Sequence, residues 1–180
     1  MKKFLREVLV TSIYILVALI ASSLIIRYVG SRIEVEGISM TDTLADGESL
    51  IVDKISYRFS DPKRYDIVVF PPFEDDKDTN YIKRVIGLPG ETVMIDFDGN
   101  IYIDGEVLEE SYGREIIRSP GRAAEPVVLG ADEYFVMGDN RNNSRDSRDP
   151  SIGSIGRDQL VGRAFVRVWP FDRFGMIEHQ

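Results

Sequence analysis

The sequence predicts a mostly β protein, an antiparallel β-sheet or coiled barrel, that follows a single N-terminal transmembrane helix. Three observations carry this prediction. Residues 8–26 contain no charged side chain, short runs rich in Val, Ile, Phe and Tyr alternate with turn residues from Ile33 onward, and no long helical periodicity follows the first run. Short strands separated by turns are typical of antiparallel sheets and barrels, because the chain reverses after each strand.

Residues 1–30 predict a basic leader and a membrane anchor. The uncharged run is about as long as a helix needs to cross the hydrocarbon core, which places the span at about residues 8–28. A cleaved secretory signal peptide is the alternative, since it also begins with basic residues and an apolar run. The run exceeds the usual ~7–15 residues of such peptides, and Arg27-Tyr28 follows it where a small-residue cleavage site is expected. These features favour a retained anchor, although Ala21-Ser22-Ser23 is a weak cleavage site.

The charge distribution indicates the orientation of the anchor and excludes one class of partner. Basic residues lie on both sides of the apolar run, three before it and two after it (Lys2, Lys3 and Arg6 against Arg27 and Arg32). This bias favours a cytoplasmic N-terminus, with residues 31–180 on the other side of the cell membrane. The whole chain has a net charge of −8; residues 1–30 carry +3, so the remainder carries −11. So acidic a body argues against nucleic-acid binding, which depends on Lys and Arg.

The body of the chain reads as a series of short strands with hairpin turns. Asp98-Gly99 and Asp104-Gly105 are typical of tight hairpin turns. Residues 109–125 are polar and contain Pro120 and Gly121, which predicts a surface excursion, and residues 157–160 predict a single helical turn. The predicted strands are 33–36, 49–55, 66–70, 81–86, 92–96, 100–103, 127–129, 134–137 and 162–169.

Ser39, in the stretch 37–44 just beyond the apolar run, is the candidate nucleophile. The chain contains no cysteine, and its only histidine is the penultimate residue, His179. A cysteine nucleophile is therefore impossible, and a Ser-His-Asp triad would have to rely on the end of the chain. A reactive hydroxyl would instead need a carboxylate or a lysine with a lowered pKa as its base.

Lys83 is the candidate base. The lysines beyond the anchor are Lys54, Lys63, Lys77 and Lys83, and only Lys83 lies within a strand pattern with mostly apolar residues on both faces. Desolvation lowers the pKa of a lysine, and a change from ~10.4 to about 7 corresponds to roughly 4–5 kcal/mol supplied by the fold. An edge-strand lysine that prevents aggregation is the alternative.

The polar stretch 138–148 follows the predicted strand 134–137. It contains alternating charged, amide and hydroxyl side chains, and from composition alone it is either a solvated loop or a buried network that supports a site. A buried network could hold a neutral lysine through hydrogen bonds that do not require its charge.

Together these stretches resemble the type I signal peptidases, membrane-anchored serine proteases that remove signal peptides from exported proteins. The resemblance covers nearly the whole chain in order and spacing. It rests on the anchor and on Gly-Ile-Ser-Met-Thr-Asp-Thr-Leu at 37–44, Tyr-Asp-Ile-Val-Val-Phe at 65–70, Tyr-Ile-Lys-Arg-Val-Ile-Gly-Leu-Pro-Gly-Glu at 81–91 and Gly-Asp-Asn-Arg-Asn-Asn-Ser-Arg-Asp-Ser-Arg at 138–148. With four motifs in register, the catalytic interpretation of Lys83 and of the polar stretch is favoured over the structural one.

The resemblance implies a role for each matching residue. Ser39 matches the family nucleophile, whose backbone N–H also binds the oxyanion, and Lys83 matches the general base. Ser144 matches the serine that orients this lysine. The remaining matches are charged residues that support the site, Arg84 with Asp139 as an ion pair, and Asp146 and Arg148. The implied fold is a coiled, mostly β catalytic domain, and no cofactor or metal is implied.

Three residues depart from the family pattern. Asp42 stands where proline is usual, Tyr65 stands where glycine is common, and Gly37 stands where some members carry an oxyanion-binding serine. None of the three removes a proton-transfer group, so we expect activity.

The implied function is cleavage of N-terminal signal peptides from exported preproteins after small residues, through an acyl-enzyme formed by a Ser-Lys dyad. The implied partners are preproteins and membrane lipid, and Phe70–Phe73 and Trp169–Phe171 are the segments that could rest on the bilayer, although core packing explains them equally well. The alternative is a non-catalytic, membrane-tethered assembly factor for secreted or surface proteins. Such a factor would not need both Ser39 and Lys83.

Overall fold

A computed structural model describes residues 2–73, 79–113 and 115–177 of the chain. It contains one α-helix, α1 (Lys2–Tyr28), and twelve β-strands among these residues. The strands are β1 (Gly30–Glu34), β2 (Ser49–Asp53), β3 (Ile67–Phe70), β4 (Tyr81–Gly87), β5 (Thr92–Ile95), β6 (Ile101–Ile103), β7 (Glu106–Val107), β8 (Val127–Val128), β9 (Glu133–Met137), β10 (Ile155–Gly156), β11 (Gly162–Trp169) and β12 (Gly175–Met176).

Helix α1 contains the predicted apolar run. Within the described part of the chain, its segment Arg6–Leu24 is the one stretch long and apolar enough to cross a membrane, judged by length and composition. None of this segment is buried inside the protein. Its apolar side chains therefore have no protein surface to cover them, as expected of a helix whose solvent is lipid.

The strands form two antiparallel sheets. The larger sheet has eight strands in the order β1-β2-β11-β3-β4-β9-β10, with β12 paired to β11, and the smaller has the order β7-β6-β5-β8. Strand β4 lies between β3 and β9 in the larger sheet, and its residues 82–87 are buried on both faces. The prediction of a mostly β, antiparallel fold with one N-terminal helix is confirmed.

The predicted strands appear within three residues of their expected bounds. The Asp98-Gly99 and Asp104-Gly105 turns join β5 to β6 and β6 to β7 as hairpins, with Gly99 at φ +88° and Gly105 at φ +86°. Strands β7, β10 and β12 were not predicted, since two residues are too few to show an alternating pattern and, unlike the two valines of β8, these pairs are not both β-branched. Residues 157–159 form the predicted helical turn.

The prediction that residues 109–125 are a surface excursion is wrong for part of this segment. Ile117 and Ala123 are buried in the core beneath the smaller sheet, and the ring of Tyr112 lies 3.5 Å from the guanidinium carbon of Arg84. The segment packs onto the protein through isolated apolar residues, and isolated residues produce no periodic signal in the sequence.

Candidate active site

Ser39 lies in a turn directly after the first strand of the larger sheet. Met40 and Leu44, which follow it, are buried in the core, and the backbone N–H groups of Thr43 and Leu44 both donate to the carbonyl of Met40, at 2.9 and 2.8 Å. The buried side chains of Met40 and Leu44 thus hold the turn against the core, and the two backbone hydrogen bonds fix its shape. Ser39 itself remains half-buried at the surface of a groove.

Asn140 holds the backbone on either side of the Ser39 peptide. Its backbone N–H donates to the carbonyl of Ser39 at 3.0 Å, and its side-chain Nδ2 donates to the carbonyl of Ile38 at 3.1 Å. Asn140 is 4% exposed. Sequence reasoning did not assign it a role, although it lies inside the polar stretch that we singled out.

Lys83 lies on β4 with its amine against the Ser39 hydroxyl. Its backbone pairs with Val68 on β3, and the residue is 3% exposed. Nζ is within hydrogen-bond distance of Ser39 Oγ at 2.8 Å and of its neighbour's carbonyl, Ile82 O, at 2.9 Å. The ring of Tyr81 covers it at 4.9 Å from the ring centroid.

Burial lowers the pKa of Lys83 from 10.5 to about 8, because an ammonium loses its hydration there. The carboxylates of Asp146 and Asp139 act in the opposite direction, since they stabilise the charged form. Desolvation is the larger effect, so roughly a tenth to a fifth of the amine is neutral near physiological pH, far more than at an ordinary lysine. A neutral amine 2.8 Å from a serine hydroxyl can accept its proton.

Arg84 and Asp139 form an ion pair whose side chains are completely buried. Arg84 Nε and NH2 donate to the two carboxylate oxygens at 2.9 and 2.7 Å, and Arg84 NH1 donates to the carbonyl of Tyr65 at 2.9 Å. Thr43 Oγ1, from the turn that carries Ser39, donates to Asp139 Oδ2 at 2.5 Å. The ion pair therefore ties the nucleophile turn to the strand that carries Lys83.

Asp146 and Arg148 form a second buried pair. Arg148 Nε and NH2 donate to the carboxylate at 2.8 and 2.9 Å. Asp146 also accepts the backbone N–H of Gly138 at 3.0 Å, so it closes the loop that connects β9 to the rest of the polar stretch. Asp139, Asn140, Arg141, Asp146, Ser147 and Arg148 are all buried, which means that the stretch is a buried network.

Ser144 lies close to the nucleophile turn but is not joined to Lys83 by a hydrogen bond. Its Oγ is buried and has no hydrogen-bond partner in the part of the chain that the structure describes. A Cβ at Gly138 would lie 2.3 Å from this oxygen and 2.5 Å from the carbonyl of Ser39. Only glycine permits this close approach, and the orienting role of Ser144 stays a prediction.

The three departures from the family pattern are accommodated locally. Gly37 has φ +88°, and its N–H donates to Asp46 Oδ1 at 2.6 Å. Tyr65 has φ +71°, in the left-handed region that favours glycine. Its ring packs 5.2 Å from that of Tyr112, and the ring contact helps to hold this backbone. Asp42 is exposed and follows a cis peptide bond.

Several other predicted features can be located. Lys63 is exposed, as expected, whereas Lys77 and His179 lie outside the described residues. Phe70 is completely buried, while Trp169 and Phe171 are exposed. The described residues contain no cluster of three His, Cys, Asp or Glu side chains that could hold a metal ion.

A groove of about 570 Å³ runs past Ser39 and Lys83. One wall is formed by residues 33–40 and the other by residues 79–83, with Asn143 and Arg145 at the rim. Both walls include strand edges, so an extended peptide could pair with backbone groups on each side.

Comparison with known proteins identifies the family. The family model described as "Signal peptidase, peptidase S26" matches residues 5–169. The chain belongs to the S26 family of signal peptidases. This membership confirms the resemblance drawn from the four sequence motifs, and the match includes both Ser39 and Lys83.

Relatives of this S26 chain include bacterial proteins named as signal peptidases. It is 46% identical over 143 residues to "Probable signal peptidase I-2" of Synechocystis sp., covering 77% of this chain and 63% of that protein. It is 47% identical over 155 residues to "Signal peptidase I" of Leptolyngbya laminosa, covering 83% of this chain and 70% of that protein. A crystal structure of a signal peptidase I from Enterococcus faecalis, 33% identical, has a TM-score of 0.47 over 58% of this chain and 97% of that one.

Proposed function

We propose that this protein is a membrane-anchored serine endopeptidase that removes signal peptides from exported preproteins after small residues. One observation carries the proposal, namely the 2.8 Å contact between Lys83 Nζ and Ser39 Oγ at a lysine that is 3% exposed. Membership of the signal peptidase family and the names of the relatives support the substrate class.

The first chemical step is formation of an acyl-enzyme. The neutral amine of Lys83 accepts the Ser39 proton while Oγ attacks the scissile carbonyl. The backbone N–H of Ser39 stabilises the oxyanion; the N–H of Gly37 is already bound to Asp46. When the tetrahedral intermediate collapses, the Lys83 ammonium donates its proton to the leaving amine.

The second step releases the acyl group. Lys83, neutral again, removes a proton from a water that attacks the ester carbonyl, and the proton returns to Ser39 as the ester breaks. The carbonyl of Ile82, at 2.9 Å from Nζ, fixes the direction of the amine in both steps. Ser144 would restrict it further if its unpartnered hydroxyl turned toward Nζ.

The substrate enters the groove as an added strand. Ile33, Val35, Met40 and Ile82 belong to one apolar cluster and also line the groove. Substrate side chains that point to this side of the groove meet packed apolar residues, and this wall is suited to small apolar side chains.

Residues 1–30 act as the anchor and residues 31–180 as the protease domain on the outer side of the membrane. The basic leader supports this orientation. Because the chain contains no cysteine, single cysteines at Lys3 and Lys63 test it with a membrane-impermeant maleimide in intact cells. We expect labelling at position 63 alone. Labelling at position 3 alone would show the opposite topology.

The exposed aromatic pair Trp169 and Phe171 supports a contact between this domain and lipid. Their rings are 4.9 Å apart in an edge-to-face arrangement, and tryptophan, whose ring is amphipathic, favours the membrane interface. Trp169 is the only tryptophan, so its quenching by brominated lipids in reconstituted vesicles reports on this site alone. Fluorescence that brominated lipids do not quench would contradict the proposed contact between Trp169 and lipid.

Precursor cleavage tests the proposed activity. Wild-type protein in detergent should process a signal-peptide-bearing precursor after a small residue, as read by N-terminal sequencing of the product. Ser39→Ala and Lys83→Met should each abolish cleavage, whereas the matched surface variant Lys63→Met should retain it. Binding of the precursor without cleavage by the wild type, or cleavage by Lys83→Met, would contradict the proposal.

A further inference from the structure

The outer edge of β1 is where a peptide strand would add. Strand β1 pairs with β2 along one edge and is the end strand of the larger sheet. Beyond β1, Val35 exchanges backbone hydrogen bonds with Glu48 and Gly47, both at 2.8 Å, and the chain then follows the groove that leads to Ser39. A peptide in this groove would therefore lie beside residues 33–38 with its backbone in strand register.

The two faces of this edge differ in chemistry. Ile33 and Val35 pack into the core, whereas Arg32, Glu34 and Glu36 are exposed on the opposite face, as strand alternation requires. Arg32 donates to Ser49 Oγ at 2.8 Å. Neither glutamate has an ion-pair partner within residues 2–73, 79–113 and 115–177.

We propose that Glu34 and Glu36 make this enzyme prefer a lysine or arginine as the second residue before the scissile bond. The proposal rests on the proposed function, in which the first and third residues are small and point toward the apolar wall beside Val35. Successive side chains of a strand point to opposite faces. The second side chain therefore emerges on the face that carries the two glutamates.

The other charges along the groove do not cancel this preference. Arg145 lines the rim, but its Nε donates to Asp149 Oδ2 at 3.0 Å and its NH2 donates to Ser151 Oγ at 2.7 Å. Lys83 is buried on the floor of the groove. On the exposed face beside the second substrate residue, Arg32 is drawn toward β2 by its bond to Ser49 Oγ, and two glutamates against this one arginine leave the face with a net negative charge.

The preference should be moderate and sensitive to salt. Opposite charges across a strand pair are favourable and like charges are unfavourable, so we expect about a three- to tenfold difference between lysine and glutamate substrates. The attraction of the glutamates for lysine and their repulsion of glutamate both take place at the surface. There, salt at 0.1 M screens charges beyond a Debye length of about 10 Å.

Three peptide substrates that differ only in Lys, Ala or Glu at the second position test the proposal with the full-length protein in detergent. The expected order of kcat/KM is Lys above Ala above Glu, with a smaller spread at high salt. In the double variant Glu34→Gln/Glu36→Gln the ratio of kcat/KM between the Lys and Glu peptides should fall to near unity. The control Glu106→Gln/Glu109→Gln removes the same charge from exposed residues near the smaller sheet and should keep the spread.

A fourth peptide separates local recognition from general attraction to an acidic protein. It carries the lysine several residues beyond the scissile bond, so its net charge matches that of the Lys peptide, and it should behave like the Ala peptide. Equal kcat/KM for the Lys and Glu peptides, or a spread that survives in the Glu34→Gln/Glu36→Gln variant, would overturn the proposal.

Affinity measurements distinguish failure of this inference from failure of the proposed function. The same peptides, labelled with a fluorophore, are titrated into the Ser39→Ala variant and followed by anisotropy. If wild-type protein cleaves none of the peptides, the proposed activity fails, yet the ratio of affinities for the Lys and Glu peptides still decides on Glu34 and Glu36. A ratio near unity refutes their role, and a several-fold ratio supports it.

Discussion

Replacing Lys83 by methionine should stabilise the protein at neutral pH, and this gain should disappear at alkaline pH. Burial lowers the pKa of Lys83 from 10.5 to about 8. At any pH below about 8 the folded state must bury an ammonium, which costs the full difference between the two values. This difference corresponds to about 3 kcal/mol of unfolding free energy at 1.36 kcal/mol per pH unit.

The sign follows from proton binding. Between about pH 8 and 10.5 the unfolded chain binds the proton more strongly than the folded chain, so the wild type gains stability as the pH rises through this window. Methionine does not titrate and has a similar shape, so Lys83→Met lacks this gain. The stability advantage of the variant should therefore be constant below pH 8 and shrink by about 3 kcal/mol on reaching pH 10.5.

Thermal unfolding of the full chain in detergent, followed by circular dichroism from pH 6.5 to 10.5, measures this difference. For a protein of this size 1 kcal/mol moves Tm by about 2–4 °C, so the gap between variant and wild type should narrow by about 6–12 °C. Lys63→Met, at an exposed lysine, should show a gap that does not change with pH. A constant gap for Lys83→Met would refute the claim that burial sets the state of this amine.

Three further outcomes are expected. The value of kcat/KM should rise about tenfold per pH unit below pH 8 and level off above it, because only neutral Lys83 accepts the serine proton; a profile that is flat from pH 6 to 9 would exclude Lys83 as the base. Arg84→Met should destabilise the protein by about 3–5 kcal/mol in thermal unfolding, since it leaves a buried carboxylate unpaired, whereas the exposed Arg118→Met should change stability by less than about 1 kcal/mol. Asn140→Ala should lower kcat more than it changes KM, because it removes the side-chain hydrogen bond to the Ile38 carbonyl that helps to position Ser39, while the backbone bond to the Ser39 carbonyl remains; an effect on KM alone would place Asn140 in substrate binding.

Local patterns in the sequence predicted much of this fold and the burial of its lysine. Alternation in residues 81–86 placed Lys83 and Arg84 on opposite faces with apolar neighbours, and both are buried in the structure. The Asp-Gly pairs likewise predicted two hairpins, because the type of a tight turn is decided by about four neighbouring residues. What depends on fewer residues, such as the two-residue strands β7 and β10, gives no such signal.

Contacts between distant segments could not be predicted from these patterns. Asn140 reaches Ile38 across 102 residues of chain, and Tyr112 stacks on Arg84 from a segment that looks like a solvated loop. The roles of both depend on how the sheets curl and where the loops cross them. A resemblance to a family supplies motif residues such as Asp139, but the packing of Tyr112 on its arginine partner becomes visible only in three dimensions.

The two buried carboxylates present an apparent conflict with the chemistry, because Asp146 and Asp139 both raise the pKa of a lysine that must be neutral. Each has a structural task that requires a carboxylate. Asp139 accepts a hydrogen bond from the hydroxyl of Thr43 in the nucleophile turn, and Asp146 accepts one from the N–H of Gly138, where an added Cβ would come within 2.5 Å of the Ser39 carbonyl.

An arginine bound to each carboxylate resolves the conflict. Arg84 and Arg148 each donate two hydrogen bonds to one carboxylate, so each pair is nearly neutral when seen from Lys83. The field of a neutral pair falls off faster with distance than that of a single charge, and desolvation then remains the larger influence on the amine. The carboxylates can therefore fix the positions of the nucleophile turn and the 138–148 loop, while the arginines weaken the effect of those same carboxylates on the pKa of Lys83.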